Sequence, residues 1–103
     1  MTMVIYEVNV DVAPEQAMAY RAWLRAHVDE ILALPGFTGA AMFEVIEPAA
    51  EDGWTALCVQ YRLAGEAALE AYLREHAPRL RAEGLARFGA HMRARRRVLR
   101  PTA

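Results

Sequence analysis

At 103 residues, with a hydrophobic share of 55% and 24% charged residues, the chain has room for one core, which excludes a second domain and a disordered chain alike. A formal net charge of -1 gives no general attraction to nucleic acid or to a membrane surface, so neither is expected as a partner. No apolar run approaches the ~20 residues that span a bilayer, and Met1 to Val12 has neither a basic n-region nor a continuous apolar stretch; the expectation is a cytoplasmic protein.

Cys58 is the single cysteine, which rules out an internal disulfide or a cysteine-cluster metal site within one chain. All twelve basic residues are Arg and alanine is abundant, a composition expected of a bacterial gene with GC-rich codons.

Residues 3 to 12 alternate, with Tyr6, Val8, Val10 and Val12 on one face and Glu7, Asn9 and Asp11 on the other, the period of a half-buried strand. Pro14 and Glu15 then open a helix, since proline is tolerated at the first helical position and an early Glu suits the positive end of the macrodipole. Ala17, Tyr20, Leu24, Val28 and Ile31 recur at three- and four-residue steps as one apolar stripe, and Leu34-Pro35-Gly36 ends the helix. A second strand is predicted from about Phe37 to Glu47, a polar turn from Pro48 to Gly53, and a third strand from Trp54 to Leu63.

The second helix starts near Glu66 and carries Leu69, Tyr72, Leu73, His76 and Leu80 on its stripe, with Pro78 predicting a kink or a restart of the last turns. Phe88-Gly89 ends it. Met92 to Leu99 reads as a final strand because Met92, Ala94 and Val98 share a face. The order β-α-β-β-α-β predicts an α+β, ferredoxin-like fold: a four-stranded antiparallel sheet with two helices on one face, filling residues 1–103 as a single domain. The uncovered face is expected to mix Ile5, Met42 and Cys58 with Glu7, Asn9, Glu44, Gln60 and Arg62. That is too apolar for full solvation and too polar for a dry core, so a homodimer through this face is expected.

The runs Val4-Ile-Tyr-Glu-Val-Asn, Leu34-Pro-Gly-Phe-Thr-Gly, Cys58-Val-Gln-Tyr-Arg-Leu and His76-Ala-Pro-Arg-Leu-Arg-Ala-Glu-Gly-Leu-Ala-Arg-Phe-Gly resemble a bacterial family known as domain of unknown function 4286. The likeness spans residues 3 to 101. It implies a dimeric α+β barrel of the ferredoxin-like class and brings no established activity with it. The wider fold class includes cofactor-light monooxygenases and haem-degrading oxygenases, and fold alone does not choose among them. The haem-degrading proteins use an Asn on the first strand, a Trp on the third and a His on the second helix; Asn9, Tyr61 and His76 occupy those topological places here. Strand parity sets Asn9 on the face opposite Tyr61.

Five residues are singled out as candidate pocket or dimer-face groups: Glu7, Asn9, Gln60, Arg62 and His76. Alternation places the first four on one sheet face, where a carboxylate and a guanidinium would hold a polar ligand or, the commoner use, fix the register of a dimer. His76 lies on an apolar stripe, facing a pocket or else bonded to backbone where the helix breaks, the blander account. His27 has a surface or groove-edge position as its plainer reading, and Trp23 and Trp54 are expected in structural or rim roles. No two histidines stand at the four-residue spacing of a helical metal site, and neither a metal nor a cofactor is expected.

The absence of Ser excludes a serine hydrolase, and Cys58, mid-strand with no adjacent His, reads as an inert hydrophobe. Arg93, Arg95 and Arg97 are expected to pair with acids of neighbouring strands or of the other subunit. The leading functional reading is a dimer binding a small-molecule ligand between sheet and helices. A cofactor-light monooxygenase or haem-type oxygenase and a non-catalytic interaction module are the alternatives.

Overall fold

The computed structural model describes residues 2–102. Its elements are β1 (Val4–Val12), α1 (Ala17–Leu32), β2 (Phe37–Glu44), β3 (Thr55–Leu63), α2 (Glu66–Glu75), α3 (Ala77–Phe88) and β4 (Met92–Leu99), with 3-10 turns at Pro14–Gln16 and Gly89–His91. The four strands form one antiparallel sheet in the order β2-β3-β1-β4, the ferredoxin-like arrangement. β1 is therefore a central strand bonded on both sides, consistent with its richness in β-branched valine.

Alternation sorts the strand residues onto two faces. Val4, Tyr6, Val10 and Val12 of β1 and Leu57, Val59, Tyr61 and Leu63 of β3 are buried against the helices. From the other side Tyr20, Leu24, Val28 and Ile31 of α1, Leu69 and Tyr72 of α2, and Leu80 and Phe88 of α3 complete the core. Burying each such side chain contributes on the order of 1.5–3 kcal/mol, so the stripe positions, rather than helix propensity, hold the helices to the sheet.

The predicted second helix is two helices. His76 has φ -127° and ψ -37°, outside the helical range, and ends α2; Pro78, in the first turn of α3, starts the next helix where its missing N–H costs nothing. Gly36 makes the turn between α1 and β2 with φ +88°, and a Cβ there would lie 2.6 Å from that of Ala68, so the turn both requires left-handed backbone and packs directly on α2.

One expectation fails at β2. A bulge between Phe37 and Gly39 shifts the pairing by one residue, so that Met42 lies opposite Val59 and Glu44 opposite Leu57. Both thereby share the helix-side face instead of the uncovered one. Glu44 accepts a hydrogen bond from Arg21 of α1 at 3.1 Å, and the outer face of β2 instead carries Gly39, Ala41 and Phe43.

The assignment of the inner face is checked on α3. Leu80→Ala, at a fully buried position, should lower unfolding free energy by roughly 2–4 kcal/mol, while Leu85→Ala should change it by less than about 0.5 kcal/mol. Urea denaturation of the two variants decides it; equal effects would mean that α3 presents a different face to the sheet.

Candidate functional site

The outer face centres on Glu7. The residue is 2% exposed, although no helix covers it, because neighbouring polar groups close over it. Arg97 on β4, directly opposite, donates from Nε to Glu7 Oε1 at 2.6 Å. Asn9 donates from Nδ2 to the same oxygen at 2.8 Å, and Gln60 on β3 donates from Nε2 to Oε2 at 2.8 Å. An ionised carboxylate only accepts, so both amides turn their NH2 groups toward it. The hydrogen bond from Arg97 is the chief cause that lowers the Glu7 pKa from 4.5 to about 2; burial opposes it, and Asn9, Gln60 and the Arg97 charge assist.

Of the four residues expected together on this face, Glu7, Asn9 and Gln60 form one network. Arg62 shares the face and points elsewhere: its guanidinium lies over Gly39, where a Cβ would collide with it. The cation that Glu7 does bind, Arg97, was legible only as a member of a strand whose arginines pair with neighbouring acids. Arg95 likewise meets Asp11 at 3.3 Å, and Arg93 meets Glu51 of the β2–β3 loop at 3.0 Å while its guanidinium sits 4.1 Å over the Trp54 ring. Cys58, opposite Asn9, is buried; desolvation and then the Glu7 charge push its thiol pKa up, which makes it a poor nucleophile.

The inner face holds a different site. A cavity of about 50 Å³ lies between the sheet and the helices, enough for roughly one or two water molecules. Aromatic rings crowd around it: Tyr6 and Tyr61 from the sheet, Tyr20 and Trp23 from α1, and Tyr72 from α2. Tyr6 stacks on Tyr61 with centroids 6.2 Å apart and meets Tyr72 edge-on at 5.7 Å. His27 lies on the rim, stacked on Trp23 at 4.4 Å, and burial lowers its pKa, which favours the neutral imidazole. Arg81 of α3 donates from Nη2 to the Tyr6 hydroxyl at 2.8 Å, and Arg96 of β4 completes the lining. Burial pushes the phenols of Tyr20 and Tyr72 up to about 12 and that of Tyr61 higher, so all three stay protonated and able to donate.

His76 does not line this cavity, contrary to the inward position its stripe implied. Because α2 ends one residue before it, His76 leaves the helical phase. Its N–H donates to the Tyr72 carbonyl at 2.9 Å, its carbonyl accepts from the Leu80 N–H at 3.1 Å, and its ring stacks beside Tyr72 at 6.4 Å. It is the histidine of a helix break. Asn9 lies on the outer face, Tyr61 on the inner, and His76 outside the cavity, so the three positions that matched the haem-degrading pattern converge on no common space, and the residues present do not fit haem at that site.

The cavity residues were individually readable as core. Tyr6, Tyr20, Tyr61 and Tyr72 all fall on core-facing positions, and the available signal was that four polar-tipped aromatics did so together. The Glu7 network carries its own pH dependence. Since the folded pKa is depressed, its stabilisation is complete above pH 4.5 and is lost as pH falls toward 2. Glu7→Gln, which turns one acceptor into a donor facing donors, should cost about 1–3 kcal/mol at pH 7 and flatten that acid limb. Chemical denaturation from pH 7 to pH 2 tests this; an unchanged pH profile would dissociate Glu7 from acid stability.

Among solved structures, the chain is similar to Rv0793 from Mycobacterium tuberculosis, at 19% identity and a TM-score of 0.71 over 99% of this chain and 97% of that one. It is also similar to SnoaB, a cofactor-independent oxygenase from Streptomyces nogalater (14% identity, TM-score 0.65, 100% and 96% covered). A dimeric ferredoxin-like protein from an uncultured marine organism aligns at 11% identity and a TM-score of 0.70, with 100% and 98% covered. At these identities the likeness is one of fold alone. No curated protein matches the sequence. The family model for the domain of unknown function DUF4286 matches residues 3–102, and the chain belongs to that family.

Proposed function

We propose that this protein is a homodimer, joined through its outer sheet face, that binds a small planar organic molecule between sheet and helices. The observation that carries the ligand reading is the ring of five aromatic side chains and His27 around an incompletely filled cavity. A well-packed core leaves few voids, and aromatic walls with hydroxyl and imidazole tips are the composition of a small-molecule pocket. The volume of about 50 Å³, partly open at its rim, admits a ring only if the rim moves. Met92 and Arg96, both flexible chains on an edge strand, and the partly exposed Trp23 are the groups placed to do so.

The dimer reading rests on the outer face. Phe43 is 50% exposed there, with Ile5, Ala41 and Leu99 partly exposed around the Glu7 network. A satisfied ionic centre within an apolar surround suits burial against a second copy, which would keep the network from water and fix its register. The similar protein from the marine organism is itself described as dimeric.

A second reading, a cofactor-independent monooxygenase, is favoured by neutral His27 at the cavity rim, placed to take a proton from an acidic C–H or O–H of an aromatic ligand, and by the likeness to SnoaB. Oxygen uptake with anthrone in metal-free buffer, compared with His27→Ala, tests it: uptake above the buffer rate that His27→Ala lowers at least about tenfold supports it.

Two measurements check the primary proposal. Sedimentation at micromolar concentration should give a dimer, and Phe43→Glu should give a monomer. Fluorescence titration with 2-naphthamide should show saturable one-to-one binding that Ala94→Trp, which fills the cavity from β4, abolishes while the dimer persists. A monomeric wild type would overturn the assembly, and the absence of any saturable probe binding would overturn the pocket.

A further inference from the structure

We propose that the molecule bound between sheet and helices is an anion, and that Arg81 and Arg96 grip its charged group from opposite walls of the cavity. This rests on the pocket reading above and names the class of ligand it takes. The two arginines reach the cavity from different layers, Arg81 from α3 and Arg96 from the inner face of β4, opposite Val8. Among the described residues no carboxylate lines the cavity, and neither arginine has a carboxylate partner, whereas Arg21 pairs with Glu44, and Arg79 with both Glu30 and Glu83. Glu30 and Glu83, the acids near His27, are thus held by Arg79 on the outer surface and leave the cavity's positive charge uncompensated.

The remaining polar groups have the same sense. Tyr6 accepts the Arg81 N–H, so its own hydroxyl hydrogen is free to donate toward the cavity, alongside the protonated phenols of Tyr20, Tyr61 and Tyr72. Arg96 lines the cavity together with those three phenols and His27, and its charge acts on all four. Two cations and a set of O–H donors between aromatic walls recognise a flat aromatic acid, a carboxylate or an ionised acidic phenol, with the planar guanidinium fork supplying directional bonds to its oxygens. A neutral ligand of the same shape would leave the positive charge of both guanidiniums uncompensated.

The test compares 2-naphthoate with 2-naphthamide, equal in shape and different in charge, by calorimetry at pH 7.5 on the intact protein. The anion should bind at least about tenfold more tightly, the difference expected of a charge-assisted over a neutral hydrogen bond. Arg96→Gln should reduce that preference to within about threefold, and Arg96→Lys should keep part of it. Arg81→Gln, which also frees Tyr6, serves as the second variant and should act in the same direction. Equal affinity for the two probes, or a preference that survives both substitutions, would overturn the anion assignment with the pocket intact. Failure of both probes to bind would instead overturn the pocket, and this inference with it.

Discussion

Tyr6 and Glu7 are neighbours on the central strand, and everything else in the molecule is arranged around the fact that they point in opposite directions. With β3 on one side and β1's other partner β4 on the other, Tyr6 enters the core between Tyr61 and Val98, and Glu7 enters the outer face between Gln60 and Arg97. A one-residue slip of β1 would exchange the two faces, setting a carboxylate in the aromatic core and a tyrosine in the ionic network. The Glu7 bonds penalise that slip directly, since a carboxylate buried without its donors costs several kcal/mol. One ion network therefore sets the register of three strands and, through them, the geometry of the aromatic cavity on the far side.

The two faces solve different problems. The inner one is mostly apolar, and its polar tips belong to rings that contribute core burial whether or not a ligand is present. The outer one has no covering layer, and its centre stays dry only because Asn9, Gln60 and Arg97 close over Glu7. Apolar Phe43, Ile5 and Leu99 around that centre are the surface on which a second sheet would gain area in the proposed dimer, while the satisfied network would avoid the cost of desolvating a lone charge. Under the proposed function, a ligand on one side and a partner on the other would leave the two functions independent, so that a change in the cavity need not disturb assembly.

Local periodicity made most of this architecture legible. The alternation of β1, β3 and β4 and the stripe from Tyr20 to Ile31 each reflect burial on one side, which a sequence records residue by residue. Pro78 marked the break between α2 and α3. The β2 bulge was not readable, because it depends on how Phe37 and Gly39 pair with Leu63 and Arg62, and it reversed the faces of Met42 and Glu44. His76 is bonded to backbone at the helix break, as its blander account expected, and it is the inward position that fails: a stripe extrapolated through a helix end keeps a phase that the backbone has already left. Glu7, Asn9 and Gln60 came together as alternation implied, but the cation among them was Arg97 and not Arg62, since the choice depends on strand order and side-chain direction. The aromatic cavity was hidden in plain core residues, as convergence is a property of the tertiary fold.

The central claim, that a ligand uses the inner face and a second copy the outer, is most directly tested by backbone amide NMR of the labelled protein during titration with 2-naphthoate. Shifts are expected to concentrate at Tyr6, Tyr61, Arg81 and Arg96, with Asn9, Cys58 and Gln60 unmoved and the rotational correlation time that of a dimer throughout. Shifts centred on the outer-face residues, accompanied by a fall to the monomer's correlation time, would contradict it.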